Sequence, residues 1–553
     1  MSFIRRRAIT TAVALCVTAV PVPAIANAQR VAAPDLVLTG GRIFTADSLH
    51  PWAEAIAVRG ARIVAVGRDA GIAALASPAT RRVALGGRVV VPGFNDAHTH
   101  IGADGDGVRF ATSDSPTPDT PIGVIVDSLA AIVKRAPSGT WIRTEVGENV
   151  LGDPAARRTA LDRVAPRHPV ILHGWTGHGA VLNSAAMVVA KLDTVKDPEG
   201  GWIERDSRGR ATGRIDEYVL FNMGRRRSIA RGAPAAIAAL RSYDAQAATF
   251  GITSVQNMVT GLTPSILAAA TRANALRLRH RVIPFEMSQV GSRETAWRGV
   301  RGGNALTTVS GAKTILDGTP IERLALMRAP YADRAGWYGR ANWPLDTIVV
   351  LLREAIASGQ QPIFHSVGDS TIALVFTAMR RVAPDSTWRR VRLRLEHADN
   401  LMPDQFADAK RLGIVVVQNP THLAVPVLAA RWGAERVARS QMLRGILAAG
   451  IPLAIGSDGP ANPYLNIMFA AMNPANTSQA LTREQAVVAY TRMSAYAEHA
   501  ERDKGTLAVG KLADLAVLSQ DIFTIPLQAL PGTTSVLTLV GGRVTHDALG
   551  QKP

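Results

Sequence analysis

Apolar and polar positions change their period several times along the chain. From Asp35 to Val91 the apolar residues come in short runs: Leu36-Val37-Leu38, Ile43-Phe44, Ala55 to Val58 and Ile63 to Val66, broken by Gly40-Gly41, Gly60 and Gly67. Runs that short, cut by glycine, predict small β-structure. The C-terminal end has the same texture, with Ala513 to Leu518, Ser535 to Val540 and then Gly541-Gly542-Arg543-Val544. Gly-Gly-Arg therefore stands near both ends, at 40–42 and 541–543. This pairing predicts one small β-sandwich assembled from both termini, with the middle of the chain inserted between them.

The middle has a different rhythm. Eight apolar strand candidates, 94–98, 252–257, 281–287, 312–316, 362–366, 392–397, 414–418 and 453–457, are mostly separated by helical periodicity. The helices are expected over Ala235 to Phe250, Leu345 to Ala357, Ser370 to Arg381, Pro403 to Leu412 and Ser440 to Ala449. Strand and helix alternating in this way predict an α/β fold, a (β/α)8 TIM barrel. After the first strand the spacing breaks, and about 150 residues intervene. They hold strand candidates of their own, Trp141 to Glu145 and Val170 to His173, and a hairpin from Gly200 to Gly213. An insertion after a barrel strand lies on the catalytic face, so this one is expected to wall or cover a site. The expected division is sandwich over 29–91, barrel over 92–502 with the insertion at about 101–245, and sandwich again over 503–553.

The first 28 residues stand apart from this pattern. Arg5-Arg6-Arg7 precedes an apolar stretch from Ala8 to Val22 and a small-x-small site, Ala26-Asn27-Ala28. That is the form of a cleavable export signal, so the mature chain is expected to begin at Gln29 and to be periplasmic or secreted. An uncleaved anchor is the alternative, and Arg6-Arg7 leaves open the twin-arginine route. Cleavage would remove Cys16, the only cysteine, which excludes disulfides and thiolate ligands.

Composition changes the picture little. The 553 residues are 47% hydrophobic and 19% charged, with a formal net charge of +18 from 62 basic and 44 acidic residues. Only eight of the basic residues are lysine, and the arginines are scattered without an aromatic-interleaved stripe. The excess is read as a solvated surface, and no nucleic-acid partner is expected. No membrane contact is expected once the signal is gone. A small-molecule substrate is expected, and a homodimer is left open.

The chemistry sits at the strand ends. His98 and His100 end the run Val89-Val-Val-Pro-Gly-Phe-Asn-Asp-Ala-His-Thr-His100. Side chains at i and i+2 leave a strand on the same side, and two close neutral imidazoles suit a transition metal, most often zinc. His365, His397 and Asp458 end three further strand candidates, and Lys313 lies inside another. In a barrel these ends share one mouth. Singly, each residue reads equally as a satisfied core histidine or a turn-capping aspartate; together they read as a metal site. A buried lysine is costly as an ammonium and tends to lose its proton. A neutral Lys313 would react with carbon dioxide to give a bridging carbamate. Pairing with Asp317 or reaching for the mouth are its other readings.

With these motifs in view, the chain resembles the amidohydrolase superfamily, and within it the YtcJ-like group, amidohydrolase family 3. The resemblance is carried by the 91–100 motif, Gly177-His-Gly-Ala-Val-Leu-Asn183 with Ser184 to Met187, Lys313-Thr-Ile-Leu-Asp-Gly318, His365-Ser-Val-Gly-Asp369, Leu395-Glu-His-Ala398, Val417-Gln-Asn-Pro-Thr-His422, Gly456-Ser-Asp-Gly-Pro460 and Gly510 to Leu518. It covers nearly all of the mature chain. It implies metal-dependent hydrolysis of a C–N bond by attack of a metal-bound hydroxide, with two divalent ions, expected to be zinc. His98, His100 and Asp458 would hold one ion and His365 and His397 the other, with N6-carboxylated Lys313 between them. Asp458 would serve as general base and then acid, with His178 or His422 stabilising the oxyanion. His178, Asn183 and Glu217 match motif positions beside the site and are expected to bind substrate. Gln418-Asn419-Pro420 and Asn462 to Asn466 depart from the group's usual pattern, which bears on substrate choice. The alternatives are a mononuclear heterocycle deaminase, a dipeptidase or lactonase on the same scaffold, and a non-enzymatic binding protein with a structural metal.

Overall fold

A computed structural model describes residues 32–549, except 104, 116, 259–260, 286–296, 298, 301 and 303. The expected export signal, 1–28, lies outside the described residues. The architecture is α/β. Two parallel sheets carry the middle of the chain. In the first, the order is Thr307–Val309, Arg279–Val282, Ile252–Asn257 and Phe94–Thr99. In the second, Ala312–Ile315, Pro362–Ser366, Arg394–His397, Val415–Gln418 and Leu453–Ile455 lie side by side in chain order. Every residue of Phe94–Thr99 and Ile252–Asn257 is buried, as parallel strands covered on both faces require.

Helices between the strands provide that cover. Leu345–Ser358 is representative. It buries Ile348, Val349, Leu351, Leu352 and Ala355 along one stripe and stops where Gly359 turns left-handed at φ 66°. The two sheets meet at two seams. At one, Phe285 and Lys313 form a parallel bridge. At the other, the Asp458 N–H donates to the His98 carbonyl at 2.9 Å. The Ser457 N–H donates to the Asp96 carboxylate at 2.8 Å, and the His98 N–H reaches the same Asp96 oxygen at 3.2 Å.

Of the sequence-derived strand at 281–287, residues 286–287 lie outside the described residues; among the described ones the ladder runs over Arg279–Val282, followed by a bridge at Phe285. The strand Thr307–Val309 has no counterpart among the eight expected runs. Three residues, two of them threonine, leave no apolar run to detect.

Both ends of the chain share a sheet. Val89–Pro92 is antiparallel to Leu515–Leu518, with Leu515 opposite Pro92 and Val517 opposite Val90. The six-stranded order is Arg543–Asp547, Ser535–Val540, Leu515–Leu518, Val89–Pro92, Arg42–Phe44 and Trp52–Ala53. A second sheet, Arg62–Gly67, Ala55–Arg59, Leu36–Thr39 and Arg81–Ala84, belongs wholly to the N-terminal segment. Leu38, Ile43, Ile56, Val90, Leu515 and Leu539 bury in one cluster.

The long insertion forms its own six-stranded sheet, from Gly201–Arg205 through Ala211–Glu217, Gly179–Leu182, Val170–Gly174 and Ile142–Val146 to Val108–Arg109. Apolar clusters lie around it, one on Ile125, Leu129, Leu161 and Leu172, the other on Ile171, Leu182, Met187 and Ile215. Among the described residues no helix is long and apolar enough to cross a membrane.

Candidate metal centre

His98 lies one residue before the end of its strand, and His100 follows that end directly. The His98 Nε2 and His100 Nε2 face each other at 3.2 Å. Their other nitrogens are occupied. His98 Nδ1 meets the Glu396 carboxylate at 2.5 Å, and His100 Nδ1 meets the Met258 carbonyl at 2.8 Å. Carboxylate and carbonyl can only accept, so both rings carry their proton on Nδ1 when neutral. Two unprotonated nitrogens then face each other without a proton between them. Asp458 Oδ1 completes the group, 3.6 Å from His98 Nε2 and 3.5 Å from His100 Nε2. Donors around a four-coordinate zinc, with bonds of about 2.0–2.1 Å, are about 3.3 Å apart. The donor set and spacing therefore fit a divalent cation.

The other histidines continue the row. The His397 ring lies 4.8 Å from that of His98 and 4.4 Å from that of His365, and His178 lies 4.9 Å beyond His365. His397 donates from Nδ1 to Asn419 Oδ1 at 2.8 Å, and the Asn419 amide is fixed by donating to the Gly456 carbonyl at 2.9 Å. His365 Nε2 is buried with no hydrogen-bond partner, a further donor suited to a cation. His98, His397 and Asp458 each offer a ligand atom within 4.8 Å of the others. His422 stacks on His397 at 5.5 Å, with its Nε2 3.7 Å from Asp458 Oδ2. All these rings, with Lys313 and Asp458, line one cavity of about 690 Å³.

The backbone at the strand ends is unusual. His397, Ala398 and Asp458 have φ of 65°, 48° and 44°. Side chains held in the left-handed region cost of order 1 kcal/mol or more each and persist where surrounding contacts enforce them. Gly456 allows the seam to close up: a Cβ there would lie 2.5 Å from the Cβ of His98 and closer still to its backbone nitrogen.

The electrostatics favour unprotonated donors. Burial pushes His98 and His365 well below the ordinary imidazole value, and the positive charge of Lys313 and neighbouring rings adds to it. Burial does the same to His397. Burial opposes the charge of Asp458, but His98, His100, His422 and Lys313 together hold its carboxyl well below the usual carboxylate range. Burial lowers the Lys313 amine to about 8, against the upward pull of Glu396 and Asp458. Lys313 is 1% exposed. Asp317 is not its partner: that carboxylate accepts from the Val367, Gly368 and Leu326 N–H groups and the Thr371 hydroxyl, and so fixes the loop after His365.

The insertion brings His178 to the cavity but not Asn183 or Glu217. Asn183 is fully buried at the start of the helix Ser184–Ala190. Its Oδ1 accepts from the Val170 and Ala186 N–H groups, and its Nδ2 donates to the Ala165 and His168 carbonyls. Its amide is fully engaged in fastening the insertion, and it does not line the cavity. Glu217, also fully buried, stands behind His178 instead of facing the cavity. Its Oε1 lies 2.8 Å from His178 Nδ1, its N–H donates to the His178 carbonyl at 3.0 Å, and its Oε2 accepts from Asn342. Its φ of 56° with ψ of −128° is held by these contacts. Burial would lower the His178 pKa, but the charge and hydrogen bond of Glu217 outweigh it and raise it.

Sequence reasoning assigned no role to Glu396 or Arg394, both fully buried. The one signal was a pair of opposite charges at i and i+2 in the strand Arg394–His397.

Comparison with known proteins adds to this geometry. The sequence profile of the amidohydrolase family matches residues 81–546. Protein LONG AFTER FAR-RED 3 of Arabidopsis thaliana is 28% identical, over 92% of this chain and 91% of that protein. An N-substituted formamide deformylase of Arthrobacter pascens is 26% identical, over 93% and 99% respectively. Among solved structures, a metal-dependent hydrolase of Pyrococcus horikoshii superposes with a TM-score of 0.68 at 20% identity, over 89% of this chain and 99% of that one. At that identity the likeness speaks for the fold.

Proposed function

The chain belongs to the amidohydrolase family, and from that premise we propose that it cuts the C–N bond of a small amide, N-acyl compound, carbamate or cyclic amide in the cavity at the strand ends. One observation carries the reading: unprotonated histidine nitrogens and an ionised carboxylate converge there with no proton to share. We assign His98, His100 and Asp458 to one divalent ion and His365 and His397 to a second, with Lys313, as a carbamate, between them. Such ions polarise a carbonyl and make water acidic near neutral pH.

The chain's own groups do the rest. Asp458, ionised and close to His98 and His100, takes the proton of the attacking water and returns it to the leaving nitrogen. Glu217 accepts the Nδ1 proton of His178 and raises the ring's pKa, so in its doubly protonated form the ring presents a second proton, on Nε2, to the oxygen that gains charge. This favours His178 over His422 for that task; His422 packs on His397 and steadies the second Asp458 oxygen. Leu220, Phe221, Phe285 and Val425 line the same cavity and keep bulk water from it. The relative that is a formamide deformylase makes N-substituted formamides the first compounds to try.

Leaving aside the edge strand Thr307–Val309, we read the other eight strands of the two parallel sheets, with their seams, as a single barrel, and the mixed sheet of both termini as part of a composite sandwich. On this reading the sandwich covers 29–91 and 503–553 and the barrel 92–502. We also read the first 28 residues as an export signal.

A single-ion deaminase has one observation in its favour, the tight trio of His98, His397 and Asp458. Metal content per chain separates it from the two-ion reading. The test of function is turnover of formamides, N-acyl amino acids, cyclic amides and lactones by metal-loaded and chelator-treated protein. Metal-dependent release of an amine supports C–N hydrolysis. Turnover of lactones alone, or turnover that survives complete metal removal, contradicts it.

A further inference from the structure

His98, His100 and His397 all donate from Nδ1, but to different acceptors. His100 meets a backbone carbonyl and His397 a neutral side-chain amide. His98 alone meets a carboxylate, Glu396 Oε2 at 2.5 Å. That carboxylate lies on another strand, Arg394–His397, and is fully buried. A buried carboxylate is costly unless it is paired and hydrogen-bonded. Arg394, equally buried, supplies both with a two-pronged contact: Nε donates to Oε1 at 2.8 Å and Nη2 to Oε2 at 3.0 Å.

The guanidinium does more than neutralise. Its Nη2 also donates to the carbonyl of Ala97, the residue before His98, at 2.7 Å. Its Nη1 donates to Gln256 Oε1, and Gln256 in turn donates to the Ser494 carbonyl at 2.9 Å. Arg394 therefore holds the backbone beside His98 and the carboxylate that meets the His98 ring. An ion pair serving only to fill the interior has no need to reach both.

We propose that Glu396, backed by Arg394, is the positioning residue that fixes the tautomer and aim of His98 and thereby sets the strength of that ring as a ligand. A carboxylate on the far nitrogen keeps the proton on Nδ1, leaves Nε2 free toward the cavity and raises the ring's donor strength; losing such a partner typically costs 10- to 100-fold in metal affinity. His98 is accordingly the anchor of the centre, and His100 and His397 are weaker donors. The inference rests on the metal centre proposed above.

The test compares wild type with Glu396→Gln, which keeps size and an acceptor oxygen but not the charge. Zinc affinity is measured by chelator competition, and the visible spectrum is recorded after loading with Co(II). Wild type should bind the ion, and folded Glu396→Gln should bind it about 10- to 100-fold more weakly with a shifted Co(II) band. Wild-type affinity together with an unchanged band in the folded variant would overturn the role of Glu396 while leaving the metal centre standing. A wild-type chain that binds no divalent ion would overturn both. Should Glu396→Gln fail to fold, nitrogen NMR of 15N-histidine-labelled, metal-free wild type decides. A protonated Nδ1 in the signal that His98→Gln removes supports the proposal, and an Nε2-protonated ring there refutes it.

Discussion

At the scale of single residues, His178 and the row of buried histidines make separable demands. His178 is set off from the proposed ligands by its partner, Glu217. His178→Ala is therefore expected to lower turnover about 10²–10³-fold, the scale of losing one oxyanion donor, with metal content intact. Measuring both on one preparation checks it, and loss of the ion would make His178 a ligand instead. The histidines give a pH expectation. A pKa pushed below the ordinary 6.5 leaves the ring unprotonated, and so able to donate its lone pair, at pH 6.5 and lower. Acid release of the ion should accordingly have its midpoint below pH 6.5, as read by dialysis and metal analysis. A midpoint above 6.5 would mean that these rings are not the ligands.

At the scale of elements, the seam between the His98 and Asp458 strands is the sensitive joint. Gly456→Ala would press a methyl group onto the His98 backbone. It is expected to destabilise the fold by about 1–3 kcal/mol, as overpacking does, and to weaken metal binding because both strands end in proposed ligands. A thermal melt and metal affinity near wild type would show that the seam yields. Apart from Thr307–Val309, the parallel strands were legible in the sequence because strands buried on both faces read as unbroken apolar runs, as Val415-Val416-Val417 does. So were the cavity-facing histidines, since they end those runs. The other faces of the same strands were not legible. Glu396 sits next to His397 in sequence but reaches His98, 298 positions away, and only the sheet order brings them together. Asn183 and Glu217 illustrate the same gap. The motif marks them as near the site, but whether a side chain faces a cavity or braces the wall behind it depends on backbone geometry, here a left-handed φ at Glu217.

At the scale of the whole molecule, the two ends of the chain cannot be treated as appendages. Leu515–Leu518 pairs directly with Val89–Pro92, which runs through Gly93 into the His98 strand. Deleting 503–553 should expose that strand's edge and the apolar cluster around Leu38 and Val90, giving insoluble or non-cooperatively melting protein. A soluble truncated chain with a sharp melt would contradict this. Repeated Gly-Gly-Arg phrases hinted at the shared sheet, whereas its strand order, with Val89–Pro92 between three C-terminal and two N-terminal strands, leaves no mark in the sequence.

This family member is proposed to work through a metal centre in which Asp458 also moves the proton. That role is tested most directly by metal content and turnover measured on the same purified sample of wild type and Asp458→Asn, with a substrate confirmed for the wild type. Asparagine keeps the shape and one coordinating oxygen but cannot take a proton from water. Asp458→Asn is expected to retain most of its metal while losing about 10²–10⁴-fold in rate. A metal-replete Asp458→Asn that turns the substrate over at close to the wild-type rate would contradict it.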